Sequence, residues 1–264
     1  MIQLNNAGVP DADYDARELL FFVSGMTRET WLLRAHERIS DAERDRYAEL
    51  TGRRASREPL QQITGVQYFC GLPFRVTGDT LCPRPDTEVL VETAMPLSKG
   101  ADVLDMCTGT GCIAVSIFLL GGAKTVTAAD ISDAALTLAK ANAEANGAEV
   151  RFIKSNMFER VSGRYDVIVS NPPYISLKDM EDLMPEVKDY EPREALYGGE
   201  DGLMFYRILT ESGREYLKEG GYLIVEIGYD QGIDVSELFR RGGFSEIKVI
   251  KDYAGHDRVV VGHL

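Results

Sequence analysis

Leu104-Asp105-Met106-Cys107-Thr108-Gly109-Thr110-Gly111-Cys112 is the stretch on which the fold turns. Its start closes a buried-type strand, Val103-Leu104, and its end opens a helix read from Cys112 to Leu120. Gly109 and Gly111 let the intervening turn adopt backbone angles closed to other residues, and let a ligand approach the chain closely. The helix start beyond them offers free N–H groups. Taken alone, the turn is compatible with a tight bend or with a dinucleotide loop, since Ala114 satisfies the G/A position of G-x-G-x-x-G.

Outward from this turn, strands and helices alternate. Thr125-Val126-Thr127-Ala128-Ala129 reads as a strand, followed by a helix from Ser132 to Asn146. Val150-Arg151-Phe152-Ile153 and Val167-Ile168-Val169 are further strands. A long loop then leads to a helix over residues 202–218, stopped by Gly220-Gly221, and to the strand Tyr222-Leu223-Ile224-Val225. A helix at Ser236–Arg240 and strands at Glu246–Ile250 and Arg258–Gly262 complete the chain. Repeated βα units with apolar strands predict a mostly parallel α/β sheet with helices on both faces. The last two strands are too close in sequence for a helical crossover and are expected to pair antiparallel.

Residues 11–58 read as helical, and Ser40-Asp41-Ala42-Glu43 has the pattern of a capping box. From Arg28 to Glu58 basic and acidic side chains nearly cancel, which predicts a salt-bridged, solvated face. Val66-Gln67-Tyr68-Phe69 and Phe74-Arg75-Val76, separated by Gly71-Leu72-Pro73, predict a β-hairpin. The expected organisation is a small helical domain (1–64), a hairpin linker (65–82) and a larger α/β domain (83–264).

Two features point to the chemistry. Asp130 ends the second strand of the α/β domain, roughly 20 residues past the glycine turn, where an acidic side chain accepts hydrogen bonds from ribose hydroxyls. The other reading of Asp130 is a helix cap. The second feature is Asn171-Pro172-Pro173-Tyr174, at the carboxyl end of an apolar strand, the edge where such sheets bind ligands. Pro172 and Pro173 stiffen the backbone and offer no N–H. What remains is a cluster of acceptors, the Asn171 side-chain oxygen and nearby carbonyls, beside the flat face of Tyr174. An amide nitrogen is a poor nucleophile, and acceptors on its two N–H bonds would aim its lone pair at an electrophilic methyl and stabilise the growing positive charge. Catalytic roles are therefore expected for Asn171, Pro172, Pro173 and Tyr174.

Composition narrows the class. The chain has 264 residues, 44% of them hydrophobic, and a formal net charge of −13. It is long enough for a substantial core plus a smaller unit. It lacks the basic footprint that phosphate binding requires, so neither nucleic acid nor an anionic membrane is an expected partner. Cys70, Cys82, Cys107 and Cys112 form no C-x-x-C pair, and with His36, His256 and His263 as the only histidines no metal is expected. Reduced thiols, no signal peptide and no long apolar run predict a cytoplasmic protein.

These motifs, with Pro59-Leu60-Gln61-Gln62-Ile63-Thr64-Gly65, Pro83-Arg84-Pro85-Asp86-Thr87-Glu88, Glu191-Pro192, Ala195-Leu196, Gly199, Asp252-Tyr253 and Asp257-Arg258, make the chain resemble the release-factor glutamine N5-methyltransferases over nearly its whole length. The resemblance implies a Rossmann-like class I methyltransferase sheet that binds S-adenosylmethionine, with S-adenosylhomocysteine as product and no metal. It implies a cofactor loop at Cys107, Thr108, Gly109, Thr110 and Gly111, with Cys107 where the family has glycine. Asp130 would hold the ribose and Ile131 would lie on the adenine. Asn156 would accept from the adenine amino group, Met157 would pack on the ring, and Asn171 would border cofactor and substrate. The implied substrate is the glutamine of a Gly-Gly-Gln segment in a peptide-chain release factor, docked with help from the helical domain. Two other readings share part of the pattern: a methyltransferase of adenine N6 or guanine N2 in nucleic acid, and a non-enzymatic adenosine-binding chaperone of release factors.

Overall fold

The structure, a computed structural model, describes residues 1–34 and 36–264. Helices α1 (Ile2–Asn6), α2 (Ala12–Ser24), α3 (Arg28–Arg34), α4 (Asp41–Ala55) and α5 (Leu60–Thr64) come first, then the hairpin β1 (Val66–Phe69) and β2 (Leu72–Arg75). The rest runs α6 (Glu88–Ser98), β3 (Asp102–Met106), α7 (Cys112–Gly121), β4 (Thr125–Asp130), α8 (Asp133–Asn146), β5 (Val150–Lys154), β6 (Tyr165–Ser170), α9 (Pro185–Lys188), α10 (Met204–Ser212), β7 (Leu217–Glu226), α11 (Gly232–Arg241), β8 (Ser245–Lys251) and β9 (Asp257–His263). Two compact units result: Met1–Val66 with Met184–Tyr190, and Gln67–Leu183 with Glu191–Leu264.

In the smaller unit α4 begins with the expected capping box. Ser40 Oγ accepts from the Glu43 N–H at 3.2 Å, and Glu43 Oε2 accepts from the Ser40 N–H at 2.7 Å. Leu19, Leu50, Leu60 and Ile63 form its apolar centre. The charged face of α4 is only partly solvated. Arg44 pairs with Asp41, and Arg46 with Glu49, along the exposed side. Arg54, by contrast, is buried between Asp15 (2.6 Å) and Glu186 (3.0 Å), and Arg57 also reaches Glu186 at 2.6 Å. Burial alone would push the Glu186 carboxyl up, but hydrogen bonds from Arg57, its own backbone and Arg54 outweigh it and hold it below the usual range. Tyr190 adds a bond from its hydroxyl to the Ser56 carbonyl, at 2.7 Å. Thus residues 184–190, far along the chain, are stitched into the helical unit by contacts that helical periodicity does not reveal.

In the larger unit seven strands follow the order β5-β4-β3-β6-β7-β9-β8. β3, β4, β5, β6 and β7 run parallel, while β9 is antiparallel to both β7 and β8, as expected. Successive side chains of a strand face opposite sides. Val103, Val167 and Val169 accordingly enter one core with α6 and α7, and Leu104 and Ile168 enter the other with Tyr206, Leu209, Val235 and Phe239 of α10 and α11. The hairpin's Phe69 and Phe74 meet edge to face and are buried in the first of these cores.

The helix expected over residues 202–218 is shorter. α10 ends at Ser212, a 3-10 turn covers Gly213–Tyr216, and β7 starts at Leu217 and passes through Gly220-Gly221. The register against β6 jumps from Tyr165↔Leu217 to Val167↔Tyr222, so the glycines form a bulge within a strand. Gly220, at φ +74°, supplies the conformation that the bulge needs.

Candidate active site

The chain leaves β3 for β4 and β5 on one side and returns to the other side with β6. Carboxyl ends of strands open a crevice at such a reversal. Here a cavity of about 750 Å³ opens there, within the size range of small-molecule sites. Its lining includes Cys107, Thr108, Gly109, Thr110, Asp130, Ile131, Asn156, Met157, Asn171 and Pro173. Three sequence candidates stand outside the lining. Gly111 serves packing: at φ +80°, a Cβ on it would come within 3.0 Å of the Ala139 Cβ. Pro172 is buried, and Tyr174 is half-buried and packs against the second core.

The glycine loop is braced from beneath. Asp105, fully buried on β3, accepts from the Thr108 hydroxyl at 2.5 Å, while its Oδ1 has no hydrogen-bond partner. Burial, opposed by that hydroxyl, pushes the Asp105 carboxyl up to about 7. Sequence reading left Asp105 without a role, because an acidic residue inside a strand gives no sign of which atoms it will meet. A carboxyl whose folded pKa lies above its usual value stabilises the folded state most at low pH, and that contribution is lost as pH rises through the folded pKa. Unfolding free energy is therefore expected to fall between pH 5 and 8. Asp105→Asn should remove on the order of 3 kcal/mol of that fall, read by denaturant titration at the two pH values. An unchanged pH slope in the variant would contradict it.

Asp130 has both oxygens engaged by backbone. Oδ2 accepts from the Gly109 N–H at 2.9 Å and Oδ1 from the Ser132 N–H at 2.9 Å. The cap of α8 is Ser132, whose hydroxyl accepts from the Ala135 N–H. A carboxylate has about four lone-pair sites, so Asp130, fixed in place by two of them, keeps others for a ligand's hydroxyls. Ile131 beside it is 57% exposed, an apolar surface bare to the cavity. Asn156 Nδ2 donates to Glu159 Oε1 at 2.8 Å, which turns its oxygen away from that contact.

Two non-glycine residues of the cavity wall take left-handed backbone angles, Cys107 at φ +64° and Met157 at φ +46°, and their sulfurs meet at 3.9 Å. Such conformations cost a residue with a Cβ about 1–2 kcal/mol. Cys107→Gly relieves that strain while loosening the unfolded chain, so a net gain of about 0.5–1 kcal/mol is expected. Thermal unfolding should move up by roughly 1–3 °C for a chain of this size. A drop in the midpoint would show that the thiol's packing outweighs the strain.

The Asn171-Pro172-Pro173-Tyr174 turn is clamped by the loop that follows it. Cβ atoms on Gly198 and Gly202 would lie 2.7 Å from the Tyr174 Cα and 2.4 Å from its carbonyl oxygen. Gln231 Nε2 donates to that carbonyl at 3.1 Å. Arg84 donates to both Glu191 oxygens, at 2.7 and 2.8 Å, and the Cys82 N–H also donates to Glu191. The Pro-Arg-Pro segment and the Glu191-Pro192 segment, separate in sequence, thus form one wall. Asn171 Nδ2 donates to Thr87 Oγ1 at 3.2 Å.

Among the described residues no three His, Cys, Asp or Glu side chains gather as a metal site, and no helix is long and apolar enough to cross a membrane.

The family described as "PrmC N-terminal domain" matches residues 2–65, and "Methyltransferase small domain" matches residues 85–186. A release factor glutamine methyltransferase of Agrobacterium fabrum is 42% identical, over 98% of this chain and 92% of its own. A solved methyltransferase of Pyrococcus furiosus superposes with a TM-score of 0.60 at 23% identity, covering 81% of this chain and 98% of that one. A solved structure described as "a putative methyltransferase complexed with SAH" gives a TM-score of 0.52 at 15% identity, covering 84% of this chain and 66% of that one.

Proposed function

The chain belongs to the release factor glutamine methyltransferase family, and from that premise we propose that it transfers a methyl group from S-adenosylmethionine to the side-chain amide nitrogen of a release-factor glutamine in a Gly-Gly-Gln segment. The observation that carries this reading is the fixed orientation of Asn171 at the cavity edge. Its NH₂ is committed to Thr87, so its oxygen is the atom left to face a ligand.

The cavity suits the proposed methyl donor. The Asp130 carboxylate is held by Gly109 and Ser132 where ribose hydroxyls would reach it. Ile131 and Met157 offer apolar surface for an adenine, and the free Asn156 oxygen suits its amino group. S-adenosylmethionine supplies, when bound, a methyl group on a positively charged sulfur. The protein's part is to place the acceptor. Asn171 Oδ1 and a carbonyl of the proline turn each take one N–H of the glutamine amide. That rotates the nitrogen lone pair toward the methyl group and offsets positive charge as it grows. Pro172 and Pro173 keep the acceptors rigid, since reorganisation at the moment of reaction would cost rate. The nitrogen becomes acidic as it gains the methyl group, so its proton leaves to water without a dedicated base. Tyr174, held behind the turn, supports its shape.

The smaller unit is proposed to help dock the release factor. In support, Leu32 and Leu33 on α3 are 71% and 85% exposed, and Phe22 on α2 is 48% exposed. We place the reaction in the cytoplasm, where release factors act. The acidic chain argues against the same chemistry on nucleobase amines.

The test is intact-mass analysis of a purified release factor after incubation with the protein and S-adenosylmethionine. One added methyl group is expected on a factor carrying Gly-Gly-Gln, and none where that glutamine is replaced by alanine. Methylation that persists in the replaced factor, or occurs on DNA or RNA instead, would overturn the reading.

A further inference from the structure

Behind Asn171, outside the cavity lining, lies a buried carboxyl that the proposed reaction does not use. Glu226 ends β7, which pairs with β6 so that Val225 is opposite Ser170, the residue before Asn171. It is 2% exposed, and its Oε2 has no hydrogen-bond partner. Thr87, also 2% exposed, sits on the 3-10 turn Pro85–Thr87 and accepts from Asn171 Nδ2 at 3.2 Å. Burial pushes the Glu226 carboxyl up to about 7, against the Thr87 hydroxyl, the nearby Arg258 guanidinium and the Asn171 side chain, which favour its anion. The other titratable groups acting with it are Asp86, Cys112, Tyr174 and Tyr206.

A threonine hydroxyl has one proton to donate and can accept as well, whereas an ionised carboxylate only accepts. With an ionised Glu226 beside both side chains, the protons are favoured in one arrangement: the Asn171 NH₂ donates to Thr87 Oγ1 at 3.2 Å, while the Thr87 O–H and the second Asn171 N–H face the carboxylate. Turning the Asn171 amide over would require Thr87 to donate to Asn171 and would leave the buried carboxylate unsatisfied, an expensive outcome. Resting on the methyl-transfer reading above, we propose that Glu226 is a positioning residue that acts on Asn171 directly and through Thr87 to hold the Asn171 side-chain oxygen toward the substrate amide. A flipped Asn171 would present N–H groups to the N–H groups of the glutamine, and the lone pair would lose its guide.

The deciding variant is Glu226→Gln, which keeps the volume but can donate, so the chain no longer has a forced direction. With release factor and S-adenosylmethionine both saturating, kcat is expected to fall about tenfold, with cofactor Kd changed less than twofold and the melting temperature not lowered. Thr87→Val should give a similar loss and Thr87→Ser should recover most of it. The double variant, Glu226→Gln with Thr87→Val, should lose no more than either alone. Wild-type kcat should decline as pH falls through about 7, and the Glu226→Gln profile should be flat there. A readout that does not depend on turnover is the Asn171 side-chain NH₂ resonance in protein labelled with ¹⁵N-asparagine, assigned by its loss in Asn171→Ala. That signal should titrate with a midpoint near 7 in the wild type and not in Glu226→Gln. Wild-type kcat and an unchanged pH profile in Glu226→Gln, or an Asn171 resonance that does not titrate, would overturn the proposal. A wild-type protein that fails to methylate the factor would instead count against the functional reading, while the resonance still decides the role of Glu226.

Discussion

Asn171→Ala is expected to lower kcat on a release factor by about 10²–10³, equivalent to roughly 2.7–4 kcal/mol of transition-state stabilisation. Asn171 stands at the carboxyl end of β6 with its NH₂ held by Thr87, so the oxygen reaches the cavity without a choice of rotamer. Removing it takes away an acceptor whose value is greatest as charge grows on the amide nitrogen, so kcat should suffer more than substrate affinity. Cofactor affinity should change little, because the proposed ribose and adenine contacts lie elsewhere in the cavity, at Asp130 ending β4 and at Ile131 and Asn156 in the turns after β4 and β5. Steady-state kinetics and calorimetry with S-adenosylhomocysteine separate the two effects. Turnover within twofold of wild type would remove Asn171 from the reaction.

The second large effect concerns stability. Arg54 has a side chain 6% exposed and lies between Asp15 and Glu186, themselves 8% and 14% exposed. Arg54→Ala strands two carboxylates with much of their charge desolvated, and breaking a buried pair in this way costs about 3–5 kcal/mol. Arg57 still reaches Glu186, so Asp15 is the group left without its partner. Replacing the set together, with Arg54→Met, Asp15→Asn and Glu186→Gln, should recover much of the loss, since the penalty comes from the unpaired charges. Denaturant unfolding monitored at Trp31 in the same unit reads both variants. A loss below about 1 kcal/mol for Arg54→Ala, the size of an exposed pair, would show that the cluster is effectively solvated.

The alternation of apolar strands with helices was enough to place the parallel sheet, because strands buried on both faces are apolar throughout: Val103, Leu104, Val167, Ile168 and Val169 are all fully buried. The antiparallel β8 and β9 were legible from the short link between them. Gly220-Gly221 misled because glycine has two meanings, a helix stop and a strand bulge, and only the pairing of β7 with β6 distinguishes them. That Asp130 and Asn171 line the cavity was legible, since Asp130 ends β4 and Asn171 follows β6, and strand ends converge in this architecture. Asp105, Thr87 and Glu226 were not, because their significance lies in which buried atoms they meet across the sheet. The same holds for Glu186, more than a hundred residues from the arginines that bind it. Gly111 and Tyr174 carry motif positions yet support the cavity wall from behind.

The most direct measurement is the distance from Asn171 Oδ1 to the glutamine side-chain nitrogen in a crystal of the protein with S-adenosylhomocysteine and a Gly-Gly-Gln peptide. A hydrogen bond of about 2.7–3.2 Å is expected, with the nitrogen turned toward the cofactor sulfur. A glutamine amide bound elsewhere in the cavity, or held with its oxygen toward Asn171, would contradict it.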